Sequence, residues 1–152
     1  SKETLYIEDE TEELISVLEN LGYKTQEIKK VIELAEKYNA FVIVDEIHSD
    51  LNITDSKFTS GIDFVNEYDN IVVCNAPSKA FNLAGLSTSY IMIPRVDLRN
   101  EFIKQAEREF LSKPTVFGYT ALIKAYEEGE LWLEEQNKHI KNNYLFLKDY
   151  LQ

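Results

Sequence analysis

Two carboxylates and an imidazole follow an apolar segment in the stretch "VIVDEIHSD", residues 42–50. Asp45, Glu46 and His48 could serve two kinds of chemistry at that position. In the first, the carboxylates hold the magnesium ion that accompanies a bound nucleoside triphosphate. In the second, the aspartate pairs with the ring nitrogen of an aldehyde cofactor, and a lysine elsewhere in the chain binds the aldehyde carbon. The residues that accompany this stretch decide between the two.

The nucleotide interpretation, that of a helicase, requires a phosphate-binding loop, which the glycines of this chain do not form. The loop needs two glycines five positions apart, the second followed by Lys and then Ser or Thr. The five glycines are Gly22, Gly61, Gly85, Gly118 and Gly129. None precedes such a pair and no two have the spacing. The net charge of −11 also opposes binding to nucleic acid or to an anionic membrane. We therefore reject a helicase.

Size and composition indicate one ordinary globular domain. The chain has 152 residues, of which 44% are hydrophobic and 28% charged. The single cysteine, Cys74, excludes a disulfide framework and a cysteine zinc site, and we interpret it as a small buried hydrophobic residue. We expect no metal. Residues 1–10 lack the pattern of a signal peptide, and no apolar run approaches the length of a membrane span, so we expect a soluble, cytoplasmic protein.

Apolar periodicity and the positions of Gly and Pro predict an α/β fold: a mostly parallel sheet of three or four strands flanked by helices, with a long C-terminal helix. The predicted helices are 10–22, closed by Gly22, then 26–39, capped by Thr25, then 96–111, 115–129 and 131–151, with a short one at 61–68. The predicted strands are 41–47, 70–76 and 87–93, the first apolar on both faces and therefore expected to be buried and central. Residues 77–86 are expected to be a loop. Ligands bind beyond the carboxyl ends of such strands, where Asp45 and residues 75–79 lie.

A second motif, "APSKAFNLAGL", places Lys79 after the strand that follows Asp45. Together with "VIVDEIHSDL" it resembles the large domain of fold-type I pyridoxal-phosphate enzymes of the class I/II aminotransferase-like group. The resemblance is strongest to the bacterial cystathionine β-lyases, or C–S lyases, and covers roughly residues 22–150. We expect residues 22–152 to be a partial large domain and residues 1–21 to be a helical segment of unclear origin. The resemblance also implies that Tyr90–Ile93 is an antiparallel strand.

The resemblance implies four site residues. Lys79 would form the Schiff base with pyridoxal 5'-phosphate and act as the general base at the substrate Cα, and Asp45 would keep the pyridine nitrogen protonated. His48 would bond to the phenolic oxygen of the cofactor, although a structural role is an open alternative. Ser78 would donate to the phosphate or would be a turn former. Without the motifs, Lys79 would be interpreted as a solvent-facing loop lysine and Asp45 as an ordinary strand-end carboxylate.

The sequence departs from the family pattern in several places. The phosphate-cradling helix start, the aromatic that stacks on the ring, and the arginine that holds the substrate carboxylate have no counterpart, and neither Arg95 nor Arg99 replaces that arginine. Asn20 is not given the role of the family's cofactor-binding asparagine, and the join near residue 20 resembles a deletion. Ser87 occupies a position where many aminotransferases have a phosphate-binding arginine, which favours the lyase branch.

Three functions therefore stay open: a C–S β-lyase acting on a sulfur-containing amino acid, incomplete in this chain; an aminotransferase; and an inactive fragment or interaction domain. The exposed edge and apolar face of a partial sheet predict a homodimer. We interpret Glu46 and Asp50 as structural or solvated acids, and His139 as a surface residue. Tyr119 and Tyr126 are expected in the core or at an interface.

Overall fold

The structure, a computed structural model, describes residues 25–54, 57–111 and 113–151. The helix predicted over residues 10–22, its Gly22 cap and the join near residue 20 lie outside the described residues. The predicted domain of residues 1–21 lies outside them too, as does the side chain of Thr25.

The first described helix, α1 (Thr25–Tyr38), is amphipathic, as its spacing predicts. Ile32 and Ala35 are buried, and Ile28 packs against them from the side. The hydroxyl of Tyr68 lies 2.5 Å from the carbonyl oxygen of Ala40, to which it donates, and 3.1 Å from that of Ala35. The Ala35 carbonyl also accepts from the Ala40 amide at 2.8 Å, and together these bonds fix the chain between the helix and the first strand.

The sheet has three strands in the order β1 (Val42–Asp45), β2 (Ile71–Asn75) and β3 (Tyr90–Met92). β1 runs parallel to β2 with Asp45 opposite Cys74, and β3 runs antiparallel to β2. The three predicted strands and the antiparallel direction of the third are confirmed. The predicted central position of β1 is wrong for the described sheet, where β2 is central. Ile43 in β1 is 71% exposed. The described elements that form the core, α1 and the turn at residues 61–64, cover the opposite face of the sheet.

One face of the sheet carries the core. Its buried cluster consists of Ile32, Ala35, Phe64, Tyr68, Ile71 and Val73. The alternation of side chains along a strand puts Ile43 and Asp45 of β1 on the opposite face, together with Cys74 of β2. That second face is the one from which the Asp45 carboxylate is accessible.

Three short helical turns lie where a loop or a short helix was predicted. Residues 77–86, expected to be a loop, contain α2 (Pro77–Ala80) and a 3₁₀ turn (Ala84–Leu86), so that expectation is wrong in detail. Pro77 explains the first of these turns, because proline at the start of a helix is preset in φ and lacks the amide that would be unpaired there. The short helix predicted within 61–68 is a 3₁₀ turn, Gly61–Phe64, whose Ile62 amide donates to Ser60 Oγ.

Three longer helices end the chain: α3 (Val96–Arg108), α4 (Val116–Glu128) and α5 (Glu130–Leu151). Thr115 caps α4 by accepting a bond from the Gly118 amide at 3.1 Å. A single residue, Gly129, separates α4 from α5, and backbone bonds from the Gly129 amide to the Ala125 carbonyl and from the Leu133 amide to the Gly129 carbonyl join the two helices end to end. Among the described helices, none combines the length and the apolar character needed to cross a membrane.

Candidate active site

Asp45 ends β1 with an exposed carboxylate whose orientation is set locally. Its Oδ1 accepts a bond from the Ile47 amide at 3.1 Å, and the amide of Glu46 continues the sheet by donating to the Cys74 carbonyl at 2.8 Å. Because β1 and β2 are parallel, the carboxyl ends of both strands lie at one edge of the sheet. Everything that follows β2 directly therefore starts at the same edge as Asp45.

Lys79 lies on α2, the single helical turn that follows β2. Pro77 and Ala80 of this turn are buried, Ser78 is partly buried and Lys79 is exposed. The buried residues fix the turn against the protein, and the lysine amine faces solvent. The structure thus brings Asp45 and Lys79, the two principal residues predicted from the motifs, to the same edge. His48, in the turn after Asp45, is also exposed.

Asn75 joins the turn that carries Asp45 to the turn that carries Lys79. It is buried at the end of β2, where its Nδ2 donates to Ser49 Oγ at 3.2 Å and its Oδ1 accepts from the Ala76 amide at 2.7 Å. Ser49 lies four residues after Asp45 and Ala76 precedes the lysine turn. One buried amide side chain therefore couples the two segments.

Glu46 points into the protein, away from Asp45. It is 6% exposed, and its carboxylate accepts bonds from the Ser60 hydroxyl at 2.9 Å and the Gly61 amide at 2.7 Å. A Cβ on Gly61 would lie 2.8 Å from Val44 Cγ2, so only glycine permits this close approach to β1. The structural alternative predicted for Glu46 is confirmed, and the side chain is not arranged to share a metal with Asp45.

An aromatic cluster, comprising Phe81, Tyr90, Tyr126 and Trp132, backs the lysine turn. The Phe81 ring lies edge-on to Tyr126, with centroids 5.3 Å apart, and stacks on Trp132 at 6.0 Å. Tyr90 of β3 lies edge-on to Tyr126 at 5.7 Å. Phe81 is two residues after Lys79, so the cluster fastens the lysine turn to α4 and α5. Sequence reasoning missed it; the phenylalanine inside the lysine motif was the available signal.

Contacts at Asp50 connect the same two helices to the Asp45 turn. The Tyr126 hydroxyl donates to Asp50 Oδ2 at 3.1 Å and lies 3.4 Å from the Tyr90 hydroxyl. Asn137 of α5 donates to the Asp50 carbonyl at 2.9 Å. Burial, the bond with Tyr90 and the charge of Asp50 raise the pKa of the Tyr126 phenol. Asp50 is therefore a structural acid, one of the two alternatives predicted for it.

The remaining predicted residues lie as follows. Cys74 is partly buried rather than fully buried, and burial, followed by the charge of Asp45, raises the pKa of its thiol. His139 is a surface residue whose ring faces Asn143 at 3.1 Å. Tyr119 is 57% exposed and Tyr126 40% exposed, so both lie outside the core and the predicted core position is wrong for them.

The two arginines set aside in the sequence lie away from the edge that carries Asp45. Arg99 donates to the carbonyl of Ile93, directly after β3, at 3.0 Å, and Arg95 bonds to Asn70, directly before β2. Since β3 is antiparallel to β2, both contacts are at the amino edge of the parallel strands. Neither arginine is available to a ligand at Asp45.

The family model described as "Aminotransferase class I and II" matches residues 22–152. The chain belongs to this family. It is 36% identical over 123 residues to the cystathionine beta-lyase PatB of Bacillus subtilis, a match covering 80% of this chain and 32% of PatB. It is 30% identical over 125 residues to an aspartate aminotransferase of Thermotoga maritima, covering 79% of this chain and 31% of that enzyme.

A solved structure shows the same arrangement of the chain. Cystalysin from Treponema denticola, whose crystal structure contains a pyridoxal 5'-phosphate cofactor, superposes with a TM-score of 0.77 at 32% identity. The superposition covers 84% of this chain and 33% of cystalysin. The resemblance and the α/β fold predicted from the motifs are thereby confirmed. The chain spans about a third of the length of the relatives it matches.

Proposed function

We propose that this chain supplies the cofactor-binding lysine and the ring-nitrogen carboxylate of a pyridoxal-phosphate-dependent C–S β-lyase. The observation that carries the proposal is the position of Asp45 and Lys79 beyond the same edge of the sheet, on turns fixed by buried residues. The similarity to a cystathionine beta-lyase along most of the chain supports the lyase over other activities.

The residues present fit the cofactor. A carboxylate with one oxygen held by a backbone amide keeps a defined direction, and it remains exposed to a ligand. An exposed lysine on a fixed turn offers an amine that a ligand aldehyde can reach. When bound, pyridoxal phosphate supplies an electron-accepting ring that stabilises negative charge at the substrate Cα. No group of three or more potential metal ligands occurs among the described residues.

Each of these side chains would have a stated role toward the bound cofactor. The Lys79 amine would hold the aldehyde carbon and, when free, would accept the proton from the substrate Cα. The Asp45 carboxylate would hold a proton on the ring nitrogen. His48 would bond to the phenolic oxygen and Ser78 to the phosphate. The substrate, cystathionine or cysteine, would lose its sulfur as a thiolate from Cβ, and one water molecule would hydrolyse the remaining three-carbon enamine to pyruvate and ammonia.

An aminotransferase is the second candidate, favoured by the 30% identity to an aspartate aminotransferase. The same lysine and aspartate serve both reactions, so the two activities are distinguished by their products. A lyase gives pyruvate and a thiol from cystathionine, whereas an aminotransferase transfers the amino group to a 2-oxo acid. The third candidate is an inactive fragment or interaction domain, since the chain spans about a third of the length of its relatives.

We also infer that the chain forms a homodimer, and sedimentation would measure its mass in solution.

The test is a titration with pyridoxal phosphate, followed by borohydride reduction and mass mapping of the modified lysine. We expect a visible absorbance band, trapped by reduction on Lys79 and absent from Lys79→Ala. Lys104→Ala, which removes an exposed lysine from α3, is the matched control and should keep the band. Asp45→Asn should weaken binding about tenfold or more, the effect of a charge-assisted hydrogen bond. Modification spread over many lysines and unchanged in Lys79→Ala would refute the proposal.

A further inference from the structure

Besides Asn75, which lies at the end of β2, Tyr126 of α4 contacts both turns of the proposed site. Its ring packs edge-on against Phe81, two residues after Lys79, with an interplanar angle of 75°. Its hydroxyl donates to Asp50, five residues after Asp45, at 3.1 Å. A single residue on α4 therefore holds the lysine turn through its ring and the aspartate turn through its oxygen.

The direction of the hydrogen bonds at Tyr126 is fixed. The carboxylate of Asp50 can only accept, so the phenol proton of Tyr126 points to it. The Tyr126 oxygen then accepts from the Tyr90 hydroxyl, 3.4 Å away on β3. A chain of bonds that ends on a carboxylate strengthens each member. The phenol is thus held between a strand of the sheet and the Asp45 turn.

The Asp45 turn depends on such distant contacts. Its internal bonds run from the Ser49 amide to the Glu46 carbonyl and from the Leu51 amide to the His48 carbonyl, and these shape the turn without placing it. The start of the turn is placed by the bonds of Glu46 described above, and the rest by Asn75 at Ser49 and Tyr126 at Asp50, with Asn137 holding the Asp50 carbonyl. Tyr126 is the one among these three residues whose side chain also contacts the lysine turn through Phe81.

We propose that Tyr126 is a positioning residue that helps to set the placement of Asp45 relative to Lys79 by fastening both turns to α4. This inference rests on the proposed function, since it is for the shared cofactor that the two side chains must be aligned. Tyr126→Phe keeps the ring against Phe81 and removes the hydroxyl, with its bonds to Asp50 and Tyr90, and comparison with Asp50→Ala isolates the bond to Asp50. Tyr119→Phe, on the same helix with a 57% exposed side chain, is the matched control.

Hydrogen exchange followed by mass spectrometry tests the contact without any cofactor. Tyr126→Phe should raise exchange in peptides covering residues 46–51 about fivefold, the effect of one lost hydrogen bond, and leave β2 unchanged. Asp50→Ala, which removes the acceptor and leaves the ring in place, should give the same result. Unchanged exchange in both variants, or an equal change in Tyr119→Phe, would overturn the inference.

A double-mutant cycle on pyridoxal-phosphate affinity tests the role. Tyr126→Phe should weaken the Lys79-dependent adduct about fivefold in the wild-type background and have no further effect when Asp45 is already Asn. Equal weakening in both backgrounds would mean that Tyr126 acts through the fold alone and would overturn the positioning role. Absence of any Lys79-dependent adduct in the wild type would instead refute the proposed function, and the exchange experiment would still decide whether Tyr126 holds the turn.

Discussion

Replacing Glu46 by glutamine tests whether the buried carboxylate next to Asp45 stabilises the fold. The carboxylate accepts bonds from the Ser60 hydroxyl and the Gly61 amide, and it is 6% exposed. Hydrogen bonds to a charged acceptor contribute about 1.5–3 kcal/mol, against about 0.5–1.5 kcal/mol for neutral ones. Glutamine retains an oxygen for Gly61 and can donate to Ser60, so it loses only the charge. With two donors, we expect unfolding to be easier by about 2 kcal/mol, and Tm lower by about 4–8 °C.

Urea unfolding at pH 7, followed by far-UV circular dichroism and by the emission of the single tryptophan, Trp132, measures this change. Glu67→Gln, an exposed glutamate close in the chain to Ser60 and Gly61, is the control and should change stability by less than about 0.5 kcal/mol. Glu46→Ala should cost about 3–4 kcal/mol, because it leaves the buried Gly61 amide without an acceptor. If Glu46→Gln matched Glu67→Gln, the inference that the buried carboxylate stabilises the fold through Ser60 and Gly61 would be wrong.

Two further predictions concern the surroundings of Lys79 and Asp45. Phe81→Ala should lower the free energy of unfolding by about 2 kcal/mol, less than for a fully buried phenylalanine because the ring is partly exposed. It should also shift the fluorescence emission of Trp132, on which the Phe81 ring stacks. Unchanged emission and an unchanged urea midpoint would contradict the stacking. Asp45→Asn should move the pH profile of Cys74 modification by a thiol reagent to lower pH, because the Asp45 charge raises the pKa of that thiol and the thiolate is the reacting form. An identical profile in Asp45→Asn would show that the carboxylate does not act on Cys74.

The helices and strands could be predicted because their signals are local. The apolar spacing of α1 and the proline and glycine that bound α3, α4 and α5 are set by neighbours within a few residues. The position of β1 in the sheet is different. The apolar residues on both faces of β1 show that either face can be buried. Actual burial depends on which elements pack against each face. In the described residues α1 covers one face only, and Ile43 stays 71% exposed.

The site divides in the same way. Asp45 and Lys79 could be assigned to one edge because parallel strands end together, and the inward direction of Glu46 follows from the alternation of side chains after an exposed Asp45. The contact between Tyr126 and Asp50 joins residues 76 positions apart. Tyr126 has the same helical spacing to its neighbours as many core tyrosines, so nothing local distinguishes it. Only the packing of α4 against β3 and the Asp45 turn shows its role.

The exposed and buried residues of the site have separate tasks. Asp45 and Lys79 face solvent, so each can meet a ligand that arrives from outside. The residues that hold them, Glu46, Asn75, Pro77 and Ala80, are buried. A ligand that needs a carboxylate and an amine at fixed positions binds most tightly when those positions exist before it binds. Less conformational entropy is then lost on binding. In this chain, buried side chains and their hydrogen bonds fix the two turns before a ligand binds, and the exposed side chains of Asp45 and Lys79 are the groups that contact the ligand.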